Sequence, residues 1–265
     1  METVLSKDGT KIAFDRVGDG PPVVFVAGAF QHRAIDGSFP RVAELLAGRF
    51  TLYHYDRRGR GDSGDTAPYS VEREIEDLDA IISESGGSAF AYGVSSGAVL
   101  ALEAAGHGSP ITKLALYEPP FIVDDSRPLP PDDLREQYVE MVSTGKPGDA
   151  VALFLTAAVG LPAPMVDQMR DAPVWGVLSS VAHTLAYDAA VMGDTQSGAA
   201  KPLERWATVD VPAIVVDGGA SPDWARNAVR ALVDVLPKAE HRTLEGQTHD
   251  VSADAIAPVL EGFFS

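Results

Sequence analysis

Residues 91–100 read AYGVSSGAVL, two adjacent serines set between glycines. An apolar run, SAFAYGV (88–94), ends directly before the first of these serines, and an apolar helical run, SGAVLALEAAG (96–106), starts at the second. Gly-x-Ser-x-Gly fits in one register only, Gly93-Val94-Ser95-Ser96-Gly97. Such a pentapeptide arises by chance in any Ala- and Gly-rich chain. A strand that ends at it and a helix that starts from it are far more specific, because that geometry strains the middle residue and exposes its hydroxyl. The flanking glycines let strand and helix approach where a Cβ would hold them apart. Ser95 is therefore the expected nucleophile. The backbone N–H of Ser96 is the expected donor to an oxyanion forming on the substrate.

Outward from this turn, β-rich runs alternate with helical ones. Strands are expected at 11–17, 21–28, 51–55, 88–94, 112–118, 212–219 and 240–246, and helices at 40–48, 70–85, 96–106, 224–236 and 251–264. Helix follows strand almost throughout, as in a mainly parallel, doubly wound sheet covered on both faces, while KIAFDRV (11–17) alternates like an antiparallel edge strand. The rhythm breaks between Phe121 and Trp206. There a proline-rich stretch, PPFIVDDSRPLPP (119–131), leads into helical patterns at 132–143, 149–159, 164–171 and 177–191 with no strand among them. The expected architecture is an α/β core of residues 1–120 and 207–265 with a helical cap, 121–206, inserted over it.

With 265 residues, 45% hydrophobic and 22% charged, the chain can bury a sizeable core. Its formal charge of −17 repels nucleic acid and anionic membrane surfaces, which points to a small, neutral molecule as partner. Cysteine is absent, which removes disulfides, a thiol nucleophile and thiolate metal ligands. The first ten residues, METVLSKDGT, lack the basic and apolar segments of a secretion signal, and no run of eighteen apolar residues occurs, so a cytoplasmic protein is expected. None of the six histidines forms a pair with metalloprotease spacing, and neither a metal nor another cofactor is expected. His54 and His241 fall within strands and His107 follows a helix, all positions of structural histidines. His249 lies in the loop after the last strand and is the expected general base. Composition indicates no particular oligomeric state.

At this point the chain resembles the α/β-hydrolase superfamily over nearly its whole length. Three motifs carry the resemblance: GVSSG (93–97), DRRGRGDS (56–63) after its strand, and GQTHD (246–250) where that family holds its catalytic histidine. The second motif is expected to shape a turn by hydrogen bonding. The resemblance implies a triad in the order Ser, acid, His, with Ser95 and His249 as two of its members. It also implies an oxyanion loop at VAGAFQHR (26–33), where Ala27 replaces the family's histidine and Gly28 is retained. Ala29 then provides the second backbone donor beside Ser96.

The triad acid is less direct. The usual position aligns with Ser221 in VVDGGASPDW (215–224), and serine bears no charge. Asp217 is too early, still on the strand, and Asp223 is too late, at a helix start where it complements the dipole. Glu118, which ends the strand of LYEPPF (116–121), resembles the acid of the zearalenone lactone hydrolases and is the expected third member.

A serine at this turn argues against the dehalogenase and epoxide hydrolase chemistry that uses aspartate there. Hydrolysis of an ester or lactone through an acyl-enzyme is the leading expectation. Carbon–carbon bond hydrolysis, a hydroxynitrile-lyase-type reaction and a non-catalytic ligand receptor are the alternatives. The apolar content of the insertion implies a mainly hydrophobic pocket, with Gly28, Phe30, Phe121, Trp175 and His183 as candidate ligand contacts.

Overall fold

The computed structural model describes all residues, 1–265. Eight strands form a single sheet: β1 (Glu2–Leu5), β2 (Lys11–Val17), β3 (Pro22–Val26), β4 (Thr51–Tyr55), β5 (Ala89–Val94), β6 (Ile111–Tyr117), β7 (Ala213–Gly218) and β8 (Ala239–Leu244). Their spatial order is β1-β2-β4-β3-β5-β6-β7-β8, antiparallel at β1-β2-β4 and parallel from β4 onward. The inner parallel strands β3, β5 and β7 are largely buried on both faces, which is why VVFV, AFAY and IVV read as unbroken apolar runs, whereas β8 at the edge is mostly exposed. On one face, α2 (Val71–Glu84), α3 (Ser96–Gly106) and α9 (Asp223–Val235) pack against Leu114, Leu116 and Val215. On the other, α1 (Phe39–Leu46) and α10 (Ala253–Phe264) cover Phe25, Tyr92 and Val216. No helix is long and apolar enough to cross a membrane.

Between β6 and β7 the chain is helical, with a third apolar cluster of its own. It contains α4 (Leu134–Ser143), α5 (Pro147–Leu153), α6 (Ala163–Met169), α7 (Pro173–Ser180) and α8 (Leu185–Met192). Two expected helices are broken. The one expected at 149–159 passes from α5 into a π-helical turn, Phe154–Ala158, where the Val159 N–H reaches back to the Phe154 carbonyl. Thr156 Oγ1 bonds the carbonyls of Ala152 and Leu153 there and competes with the helix ladder. The helix expected at 177–191 is two helices. The first starts at Pro173, whose ring presets a first-turn φ, and a short turn at Ala182–Thr184 separates it from α8. β1 was not anticipated, because ETVL is short, mostly exposed and without a clear alternation.

Candidate active site

β4 lies on one side of β3 and β5 on the other. The connections leaving β3 and β5 therefore diverge, and a crevice opens outside the carboxyl ends of these strands. Val26 is in register with Gly93, so the loop after β3 and the turn after β5 start side by side.

Ser95 occupies that turn with φ 56° and ψ −128°. A side-chain-bearing residue held there stores on the order of 1–3 kcal/mol of strain. The surroundings enforce it. The Ser95 N–H donates to the Tyr117 carbonyl at 3.0 Å, tying the turn to β6. A Cβ on Gly93 would lie 2.6 Å from Ala98 Cα, and one on Gly97 2.2 Å from the Val26 carbonyl oxygen, so neither position admits another residue. The non-glycine residues with positive φ in the whole chain are Phe30, Ser95 and Glu118. They follow β3, β5 and β6, three neighbouring strands, at the same edge of the sheet.

Glu118 is 1% exposed. Its N–H donates to the Val216 carbonyl, its Oε1 accepts the Gly218 N–H at 2.8 Å, and its Oε2 meets Nδ1 of His249 at 2.8 Å. Burial opposes its ionisation, but the bonds from His249 and Gly218, with Ser221 alongside, prevail and hold the carboxyl below its ordinary range. The Ser221 hydroxyl, buried beside this carboxylate, has no well-formed hydrogen bond of its own.

His249 reaches Glu118 because its loop packs on a glycine pair. A Cβ on Gly218 would be 2.3 Å from the Gln247 carbonyl oxygen, and one on Gly219 2.8 Å from Glu245. The Ala220 N–H bonds Gln247, and the Tyr117 hydroxyl donates to the Thr248 carbonyl. The imidazole is half exposed. The Ser95 hydroxyl donates to no protein acceptor, and Ser95 and His249 share no hydrogen bond. Contacts between nucleophile and base are commonly long without ligand and tighten on binding.

The other two acids are placed elsewhere. Asp223 opens α9, 88% exposed, next to Arg226. Asp217 is wholly buried within β7 and pairs with His241 at 3.2 Å.

Gly28 faces Ser95: a Cβ built on it would touch the Ser95 Cβ at 3.0 Å. Its N–H donates to Gln31 Oε1 at 2.8 Å. The N–H groups of Ala29 and Ser96 donate to no acceptor within the chain, leaving two free donors beside Ser95. Phe30 continues this loop and packs edge-on to Phe154 of the π turn, with ring centroids 5.1 Å apart.

Two of the expected ligand contacts are packed inside apolar clusters. Phe121 has no exposed surface and stacks on Trp206 in the core beside α3, so the proline-rich run carries it inward. Trp175 packs against Gly148 and lies beneath Arg170, inside the helical cluster. His183 sits against Asp65 and Gly59, on the turn after β4.

The sequence also concealed a charge cluster. Arg57, Arg58 and Arg60 of DRRGRGDS are each 1% exposed. Arg58 grips Asp77, whereas Arg57 and Arg60 converge on Asp188 of α8. A lone acid in the apolar pattern LAYDAAV was the one available signal, and it names no partner.

The Alpha/beta hydrolase family model matches residues 23–261. An alpha/beta hydrolase crystal structure from Sphaerobacter thermophilus is 54% identical over 100% of both chains, with a TM-score of 0.91. The enol-lactonase from Burkholderia xenovorans shares the fold at 20% identity and a TM-score of 0.68, covering 99% of each chain. Over 87 residues, 31% of its length, this chain is 41% identical to the probable oxidoreductase EphD of Mycobacterium tuberculosis, of which it spans only 14%. A parallel sheet with a nucleophile-type turn after β5, matched by a family model from β3 to α10, leads to one conclusion: the chain belongs to the alpha/beta hydrolase family.

Proposed function

We propose that this protein is a serine hydrolase that cleaves an ester or lactone of a neutral, mainly hydrophobic small molecule through an acyl-enzyme. The observation that carries the reading is the Glu118–His249 hydrogen bond of 2.8 Å at the same sheet edge as the strained Ser95. Ser95 Oγ attacks the acyl carbon while His249 Nε2 takes its proton, and the carbonyl oxygen becomes an oxyanion held by the N–H groups of Ala29 and Ser96. His249 then returns the proton to the leaving alcohol. Water, activated by the same imidazole, hydrolyses the acyl-enzyme and frees the acid product. Glu118 keeps its negative charge, fixes the proton on Nδ1 and stabilises the imidazolium. The start of α3 adds its positive dipole end at Ser96.

An apolar substrate fits the helical cluster that closes on Phe30, a residue of the oxyanion loop itself. We assign residues 121–206 the part of a cap over this site. A fluorophosphonate should label the protein on Ser95, and a panel of aryl esters, lactones and vinylogous diketones should show turnover that Ser95→Ala abolishes. An unlabelled Ser95, with no turnover across that panel, would favour a ligand receptor on the same fold.

A further inference from the structure

Arg57, Arg60, Glu74 and Asp188 form a buried, electrically balanced group against the oxyanion loop. Glu74 of α2 accepts two bonds from Arg57, at 2.7 and 2.8 Å. Asp188 Oδ1 accepts from Arg57 at 2.8 Å and from Ser96 Oγ at 2.7 Å, and its Oδ2 accepts from Arg60 at 2.6 Å. The guanidiniums also reach main chain: Arg60 donates to the Gly28 carbonyl at 2.6 Å, and Arg57 to the Ala27 carbonyl at 3.3 Å. Burial alone would push the Asp188 carboxyl up, yet Arg60 and Arg57 hold it below its usual range. Arg57, between two carboxylates, is raised. Arg60, with one carboxylate and Arg57 for a neighbour, is lowered by its burial, though a guanidinium stays charged at any physiological pH.

Desolvation makes buried charges poor stabilisers, and apolar side chains of equal volume often serve a fold as well. What distinguishes this group is what it touches. Its four contacts outside itself and Thr184 are the carbonyls of Ala27 and Gly28, the hydroxyl of Ser96 and the hydroxyl of Tyr69, and all but the last belong to the two segments that present free N–H groups to Ser95. In a planar trans peptide the C=O and the next N–H point in opposite directions. A guanidinium gripping the Gly28 carbonyl therefore fixes the Ala29 N–H on the other side of the same peptide. We infer that Arg60 and Asp188, with Arg57, are positioning residues, by which helix α8 sets the direction of the oxyanion donors.

This inference rests on the acyl-transfer reading above. Arg60→Met should lower kcat on p-nitrophenyl butyrate about 10²-fold, as loss of an oxyanion donor does, with KM within about threefold of the wild type. Inhibition by a trifluoromethyl ketone, whose adduct bears an oxyanion, should weaken in step with kcat/KM. Arg60→Lys, which keeps a donor for Gly28, should recover most of the loss. A crystal structure of Arg60→Met should show the Gly28–Ala29 peptide rotated. Wild-type kcat in Arg60→Met, a loss confined to KM, or an unrotated peptide would each overturn the inference. If Arg60→Met does not fold, Asp188→Asn is judged on the same readouts. The wild-type phosphonate adduct needs no variant: a phosphoryl oxygen about 3 Å from both N–H groups, with Arg60 still on Gly28, is expected, and an adduct whose Gly28–Ala29 peptide has left Arg60 overturns it. A wild type that forms no adduct and cleaves no ester defeats the hydrolase reading instead, while the peptide orientation in Arg60→Met still decides the positioning role.

Discussion

Replacing Glu118 by glutamine is the most informative single change, because the structure dictates how the amide must sit. The Gly218 N–H donates to Oε1 and needs an acceptor, so the glutamine oxygen takes that place and its NH2 turns to His249 Nδ1. Nδ1 then has to accept, which moves the imidazole proton to Nε2, the atom that should take the proton from Ser95. The variant keeps shape and both hydrogen bonds yet holds the wrong tautomer. It also loses the charge that stabilises imidazolium. The same change in a triad acid elsewhere costs about 10⁴ in kcat, so a fall of about 10³–10⁴ in kcat on an aryl ester is expected with KM little changed. Circular dichroism and thermal unfolding would check that the fold is kept. Asp223→Asn and Ser221→Ala should stay within about tenfold of the wild type, since the first is exposed and the second carries no charge. If Asp223→Asn or Asp217→Asn is the dead variant and Glu118→Gln turns over normally, the assignment of the acid is refuted.

Ser95→Ala should abolish both turnover and phosphonate labelling, whereas Ser96→Ala, which keeps its backbone donor, should cost less than about tenfold in kcat; equal losses would refute the register. Gly218→Ala should lower kcat and the melting temperature together, because the added methyl meets the Gln247 carbonyl at 2.3 Å and displaces the histidine loop. Asp36 accepts from the N–H and hydroxyl of Ser38 and the N–H of Phe39; burial opposes its charge, but these bonds and His54 take its pKa from 3.8 to about 2. A depressed carboxylate stabilises above its unfolded pKa and loses that contribution as pH falls through its folded one. Denaturant unfolding of Asp36→Asn should therefore show a deficit of about 2 kcal/mol at pH 7, narrowing between about pH 4 and pH 2; a deficit independent of pH would refute it.

The sheet was legible because its inner parallel strands β3, β5 and β7 are nearly continuous apolar runs, and the GVSSG turn was legible because strand and helix meet directly at it. The expected order Ser, acid, His placed His249 in a loop of the right kind. What escaped were contacts between segments far apart in the chain. Nothing local to DRRGRGDS says that Arg57 and Arg60 turn inward to an aspartate 131 and 128 residues away. Phe121 and Trp175 failed as ligand contacts for the same reason: an aromatic in a helical or proline-rich run shows that it will be buried, but its partner, Trp206 or Gly148, is set by packing. The strained φ values of Phe30 and Glu118 were equally invisible, since they are imposed by what the adjoining strands and loops bond.

The position of the proposed acid, Glu118, follows from the sheet. Tyr117 is in register with Val216, so Glu118 stands one strand, about 4.8 Å, nearer to Ser95 than an acid at the end of β7 would be. The end of β7 is taken: Asp217 faces His241, and Gly218 and Gly219 must stay bare for the loop 245–250 to pack on them. Glutamate, one methylene longer than aspartate, spans the distance across to His249 while its other oxygen uses the Gly218 N–H. Ser221 lies beside that carboxylate, buried and poorly bonded, in the loop that follows β7. A carboxylate introduced there should reach the same imidazole once Glu118 is neutral. The double variant Glu118→Gln, Ser221→Asp is therefore expected to regain at least about tenfold of the kcat that Glu118→Gln loses, while Ser221→Asp alone, placing two carboxylates in contact, should unfold at a lower temperature than the wild type. A double variant that folds but recovers nothing would mean that the loop presents Nδ1 to β6 alone, and that the two acid positions are not interchangeable in this fold.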